Sequence, residues 1–370
     1  MEGVISVPLG WMRMKDHFKL YCTINIARAS LQAVLTSIFL YADRGIEGVF
    51  EAGCIATLCT AATCFFFQVR STGLQFKRST TFKFLSYSYP IVISGILAFF
   101  LNGFDKWILA ESTNLSQLAF YAITGKFAVA LTIAMQPYAM WWSPIRFCML
   151  NSFNGKALVS KFAIYGLLQI ALFSLLIGLA APVVIFALFS DEFYSCILLV
   201  GPLLAVFAVK ECAEFLNVGC FASESTAGQL KITLISVIIG IILMKFLAPR
   251  FNVFGLVLSL FIAQSIRTIL LFIPGQKKVA LTIPYLQFSL LFLLTFTIIM
   301  ITNYLLSQNM QDASLIELCI LNIGGWSIAI IAFAFSTLVL FRQYLPLSAA
   351  LYWSKNKIHN SLLNTGSKAA

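Results

Sequence analysis

Four cationic side chains interrupt long apolar stretches of this chain: Arg28, Lys126, Lys210 and Arg267, with Glu211 and Glu214 beside Lys210. A charge at the middle of a membrane helix costs roughly 2.5–3.5 kcal/mol on insertion scales, so four weigh on the order of 10 kcal/mol. Such a load is sustained only where the groups snorkel, pair or face water. Glu214 stands four residues after Lys210, where the two could pair on one helical face. Arg28 and Arg267 lie about two turns from the basic ends of their stretches, close enough to snorkel. Lys126, within Phe120-Tyr121-Ala122-Ile123-Thr124-Gly125-Lys126-Phe127, has no acid within reach on its own helix. Its alternatives are a watery lumen or a partner such as Asp105 on a neighbouring helix. Cations lining a cavity with low-dielectric walls attract anions, because such walls focus the field. The chemistry open to this set is therefore capture of an anionic substrate, with Asp105 and Glu214 as groups for pairing or ion coupling. Pro90, which removes a backbone hydrogen bond, precedes Ser94 and Gly95 and supplies a candidate hinge at Pro90 and Gly95.

Other chemistries lack carriers. The two histidines, His17 and His359, lie in the polar ends. The nine cysteines follow no ligand spacing; Cys54, Cys59 and Cys64, five apart, do not share a helical face. No metal site and no cofactor are expected. No Ser/His/Asp set, paired-carboxylate cleft or phosphate-binding glycine loop stands out, so the chain does not read as an enzyme. Trp141 and Trp142 read first as interface anchors, with a sugar-stacking platform as the sharper alternative.

The elements that must position these groups follow from composition. Of 370 residues, 60% are hydrophobic and 11% charged, and the mean hydropathy is +0.91; a soluble domain carries about 25% charged residues. Ten apolar stretches of roughly 20 residues, the length that crosses a bilayer core, fall near 20–41, 46–67, 84–104, 117–139, 161–189, 195–218, 231–248, 253–273, 285–306 and 313–341. The chain is thus expected to be an all-α polytopic membrane protein of about ten transmembrane helices. A barrel would show alternating polarity instead. The first 19 residues hold no long apolar core behind a basic head, so they do not read as a cleavable signal.

The net charge of +11 is spread as short clusters between spans, which argues for topology signals and against nucleic acid. With loops assigned to alternate sides, seventeen Lys and Arg residues fall on the side of the N-terminus, among them Arg70, Arg78, Arg146, Lys156, Lys231 and Lys277. Four fall opposite: Arg44, Lys106, Lys245 and Arg250. That bias places both termini in the cytoplasm, which an even number of spans satisfies. Two outward turns also echo one another. Asp43-Arg44-Gly45-Ile46-Glu47-Gly48-Val49-Phe50 and Pro249-Arg250-Phe251-Asn252-Val253-Phe254-Gly255-Leu256 each carry an arginine and a glycine before a long second helix. Internal repeats are a usual construction of secondary transporters.

Residues 84–160 carry a more specific pattern. Tyr89-Pro90-Ile91 opens a span and Leu101-Asn102-Gly103-Phe104-Asp105-Lys106-Trp107-Ile108-Leu109 closes it; Ala119-Phe120-Tyr121-Ala122, Lys126 and Trp142-Ser143-Pro144 follow. This order and spacing resembles the polysaccharide and O-antigen flippases of the multidrug/oligosaccharidyl-lipid/polysaccharide exporter superfamily, at the start of their second lobe. The resemblance implies a translocase in the bacterial cytoplasmic (inner) membrane. Its substrate would be an undecaprenyl-diphosphate-linked oligosaccharide, an O-antigen or other lipopolysaccharide or surface-polysaccharide unit, moved by alternating access of two six-helix lobes. Lys126, Arg28, Lys210 and Arg267 would then attract the diphosphate or acidic sugars. Membrane lipids, a polysaccharide polymerase and chain-length machinery are the implied partners, with no nucleic acid among them. Against the family's 12 or 14 helices, residues 1–83 read as a remnant of the first lobe and 84–273 as a complete second lobe. Residues 274–370 read as an extra helix pair with a basic cytoplasmic tail, and four leading helices as missing. The alternatives are a cation-coupled multidrug exporter, a membrane polysaccharide polymerase or ligase, and an inactive truncated remnant.

Overall fold

A computed structural model describes residues 2–15, 17–73, 78–221, 227–309 and 315–341; the expected basic tail after Phe341 lies outside them. The described residues are helical apart from turns and one extended linker, and no strand occurs among them. The chain is an all-α polytopic membrane protein. It divides into two compact units, Met1–Phe84 and Leu85–Ala370.

The first unit holds α1 (Glu2–Met14), α2 (Phe18–Tyr41) and α3 (Gly45–Thr72). The α2–α3 turn passes through positive φ at Asp43 (55°) and Gly45 (54°), a region open to glycine at no steric cost. Just beyond it, a Cβ on Gly48 would come within 2.8 Å of the Phe39 Cβ, so the hairpin closes nearly backbone to backbone. The buried side of α3 is built from small residues, Gly48, Ala52, Ala56, Thr60, Ala61 and Cys64. The unforeseen element is α1. Its Ile5, Pro8 and Met12 are buried, a helical stripe whose Ile5 and Met12 join Ala61 and Cys64 of α3 in one cluster.

The second unit begins within α4 (Arg78–Ser112), which runs across the division, and continues with α5 (Leu115–Leu150), α6 (Gly155–Leu188) and, after a 3-10 turn at Asp191–Cys196, α7 (Ile197–Leu216). A single turn, α8 (Val218–Phe221), leads to α9 (Ala227–Lys278), α10 (Tyr285–Asn309) and α11 (Leu315–Phe341). The buried residues of α5 recur every three to four positions until Met135 and resume at Trp142: Tyr121, Thr124, Ala128, Leu131, Met135, Trp142, Arg146 and Met149. That stripe and α7 serve two clusters. Leu131, Met135, Leu175, Val200 and Ile299 belong to the one involving α6, α10 and α11. Leu109, Ala128, Leu203 and Leu256 belong to the one involving the end of α4 and α9.

The 52 residues of α9 are not one rod. Asn252 leaves helical geometry (φ 52°, ψ −136°), and a Cβ on Gly255 would lie 2.2 Å from the Leu247 carbonyl oxygen. Eight residues of straight helix would separate those groups by about 12 Å, so the chain doubles back at Asn252. The described residues thus contain seven helices long and apolar enough to cross a membrane, of which Gly228–Lys278 is folded in two, and two shorter apolar helices at Phe84–Leu97 and Gly325–Phe341. Each of the ten expected stretches has its helix.

Packing ties α10 to α6 and α7. A Cβ on Gly178 would meet Ile299 at 2.8 Å, and one on Gly201 would meet the Met300 sulfur at 2.7 Å. Between α9 and α10 the chain is extended, with Val279, Leu281 and Ile283 alternately buried. Gln276 brackets this linker by donating to the Leu281 carbonyl (3.1 Å) and accepting from the Leu281 amide (2.7 Å).

Candidate functional site

Several of the charged residues singled out by sequence gather at one end of the second unit, where α5 and α7 finish beside the later arm of α9. Arg146 of α5 donates through Nη1 to the Asn217 side-chain oxygen (2.8 Å) and to the Glu214 backbone carbonyl (3.2 Å). Asn217 is the C-cap of α7. A helix C-terminus presents unsatisfied carbonyls and partial negative charge, so an arginine there satisfies both. The Asn217 amide donates to Glu214 Oε2 at 3.1 Å. On its other oxygen, Glu214 Oε1 lies 3.7 Å from Arg267 Nη2 of α9.

Exposure orders this cluster from inside to outside. Arg146 is 7% exposed, the Arg267 side chain 13% and the Glu214 side chain 49%. The outlying Glu214 carboxylate therefore faces the sunken Arg267 guanidinium, while the sunken Arg146 holds the backbone carbonyl of Glu214 and the side chain of Asn217. Glu214 turns to Arg267 of another helix, while Lys210 holds its ammonium 5.1 Å from the centroid of the Phe207 ring, a cation–π distance. Glu211, buried on the same helix, accepts a hydrogen bond from Thr132 of α5 at 2.8 Å. Arg146, Asn217 and Thr132 are not among the residues that sequence marks for a site. By sequence Arg146 counts as a loop cation, although its place in the buried stripe of α5 is visible in the spacing.

The remaining candidates stand apart from this cluster. Asp105, 5% exposed, accepts from the Tyr121 hydroxyl at 2.5 Å and from the Lys106 amide at 2.7 Å, tying the end of α4 to α5. Lys126 is exposed and stands on the side of α5 opposite the buried stripe, since it is two residues, about 200°, from Ala128. No hydrogen bond or ion pair engages it among the described residues. Arg28, in the first unit, is half-buried and reaches from α2 to the Thr57 hydroxyl of α3 at 3.4 Å. Pro90 lies within a continuous α4. Its carbonyl accepts from the Ser94 hydroxyl at 2.7 Å, a back-bond of the sort that bends helices. Gly95 is exposed, with open space where a Cβ would stand.

Residues 1–145 match a family model described as "Polysaccharide biosynthesis protein". No curated protein and no solved structure matches the chain. The matched stretch contains Arg28, Pro90, Gly95, Asp105 and Lys126, and it ends one residue before Arg146. It supports involvement of this multi-pass membrane protein in polysaccharide synthesis or transport.

Proposed function

We propose that the protein translocates a lipid-linked oligosaccharide, of the undecaprenyl-diphosphate type, across the bacterial cytoplasmic membrane. The observation that carries this reading is Lys126: a cation in the apolar part of a matched helix, exposed, turned away from the packed stripe and engaged by no acid among the described residues. A mid-helix ammonium with no partner needs water or an anion to offset its desolvation. A carrier for a diphosphate-bearing lipid supplies both, because its headgroup passage must be wet and its cargo is anionic. Bending of α4 at Pro90, Ser94 and Gly95 would serve alternating access. Multidrug export is less well served. It calls for carboxylates open to cationic guests, whereas Asp105 and Glu211 are buried against the hydroxyls of Tyr121 and Thr132.

The test is replacement of Lys126 in the native host. Lys126→Ala is expected to abolish assembly of the surface polysaccharide and to leave its lipid-linked unit in the inner leaflet, while Lys126→Arg retains much of the assembly. Full assembly with alanine would remove Lys126 from the mechanism, and with it the support for this reading.

A further inference from the structure

The cluster at the ends of α5, α7 and α9 has the form of an anion site occupied by the protein's own carboxylate. Arg146 and Arg267 approach from two different helices, and Asn217 presents its amide between them. Glu214 fills the centre, one oxygen toward Arg267 and the other on Asn217. A two-oxygen anion in the same place would meet Arg267 and the Asn217 amide, with Arg146 holding Asn217 by its side-chain oxygen. The cations are sunken and the acid is outermost, so an incoming anion meets the cluster at Glu214 and competes with it directly. The ion pair that must be broken is loose, at 3.7 Å with half of the acid exposed, so solvent screens it on the side of the acid. Arg267 also keeps capacity in reserve, for its Nε–H is buried with no hydrogen-bond partner among the described residues. Lys210, one turn before Glu214, adds a third cation that is engaged by a ring rather than an acid.

We propose that Arg267, Arg146 and Asn217, with Lys210 alongside, form a binding site for a phosphoanhydride anion, and that Glu214 is its resting occupant, displaced when the anion binds. Glu214 thereby sets the affinity of the site and returns to Arg267 when the anion leaves, which favours release. Inorganic pyrophosphate and the diphosphate of a membrane lipid share this chemistry. The assignment to a lipid headgroup rests on the translocation reading above; the anion site itself does not.

The test uses the full chain in nanodiscs with inorganic pyrophosphate as the probe, read by isothermal titration. Glu214→Gln keeps the size and the contact with Asn217 but removes the competing charge, and it is expected to tighten pyrophosphate binding about tenfold, equivalent to 1.4 kcal/mol. Arg267→Gln is expected to weaken binding by a similar factor, and Arg267→Gln combined with Glu214→Gln to lose the gain. Asn217→Asp places a second carboxylate beside Arg146 and is expected to weaken binding, which decides the matter should the Glu214 variant fail to fold. Unchanged affinity in Glu214→Gln, or in Asn217→Asp, overturns the site. Nanodiscs doped with farnesyl diphosphate are then expected to compete with pyrophosphate, more strongly in Glu214→Gln than in the natural chain; absence of competition overturns the lipid assignment. If Glu214→Gln tightens pyrophosphate binding while Lys126→Ala leaves surface polysaccharide intact, the translocation reading fails and the anion site stands. The converse pair of results keeps translocation and removes the anion site.

Discussion

Single residues show how far charge and context can be separated in this chain. Sequence identified the costly cations and acids, because a Lys, Arg, Asp or Glu inside an apolar run needs a reason to be there. It did not identify their partners, which come from other helices: Glu214 goes to Arg267, Glu211 to Thr132 and Asp105 to Tyr121. Lys126 alone stands as sequence left it, with no acid among the described residues, and its exposure on the unpacked side of α5 was implicit in its offset from Ala128. The Asp105–Tyr121 contact allows a direct test of what a buried partner contributes. Tyr121→Phe leaves one oxygen of a buried carboxylate without its donor, which costs about 1–3 kcal/mol. In an Asp105→Asn background the charge is gone, and the same substitution should cost markedly less. Thermal unfolding of the four proteins in detergent measures the coupling. Equal losses in both backgrounds would show that Tyr121 contributes through packing and not through its hydroxyl.

At the level of elements, hydropathy located the apolar stretches but understated the helices. The stretch at 117–139 is the middle of a helix that runs from Leu115 to Leu150, about 54 Å at 1.5 Å per residue against a hydrocarbon core of about 30 Å. Apolar sequence tracks the thickness of the oil, whereas the helix continues past Trp141, Trp142 and Pro144 to bury Arg146 and Met149 in the packed interior. Helix α1 escapes hydropathy for a related reason: it is short and flanked by charge, and its signal is a stripe at Ile5, Pro8 and Met12 rather than a long run. The two echoed turns share a local geometry. In each, a glycine three residues after a left-handed position, Gly48 after Gly45 and Gly255 after Asn252, lies against the preceding helix. Gly255→Ala would force a methyl group to within 2.2 Å of the Leu247 oxygen, and overpacking of this kind typically costs about 1–3 kcal/mol or more. The variant should lose stability or fail to accumulate. Gly95→Ala meets no atom within 4 Å, so its unfolding midpoint should hold or rise slightly, as helix propensity favours alanine. If Gly95 is the flexing point of α4, that variant nonetheless slows transport while remaining folded. Equal loss of stability in both variants would contradict this packing.

For the whole molecule, the distribution of charge is the property that orients it. Each membrane crossing reverses the chain, so the turn ahead of α3 and the fold at Asn252 are expected on one side of the bilayer and the Ser152 turn on the other. The first group is sparse in cations and carries Asp43 and Glu47; the second lies among Arg146, Lys156 and Lys161. Lys and Arg are retained on the cytoplasmic side of short loops, so the molecule should sit with the Ser152 turn and the Gln276-bracketed linker in the cytoplasm and the Asp43 and Asn252 turns outside. Alkaline phosphatase inserted after Asp43 should be active and the same insertion after Ser152 inactive, with a cytoplasm-dependent fluorescent reporter giving the reverse. The cluster of Arg146, Glu214 and Arg267 lies at the Ser152 end, because α5 and α7 both finish there. In this orientation its anion arrives from the cytoplasmic leaflet, the side on which a lipid-linked unit awaiting export would be loaded. Reporters with the opposite pattern would place the cluster at the exit side, and Glu214 would then act on release rather than on capture.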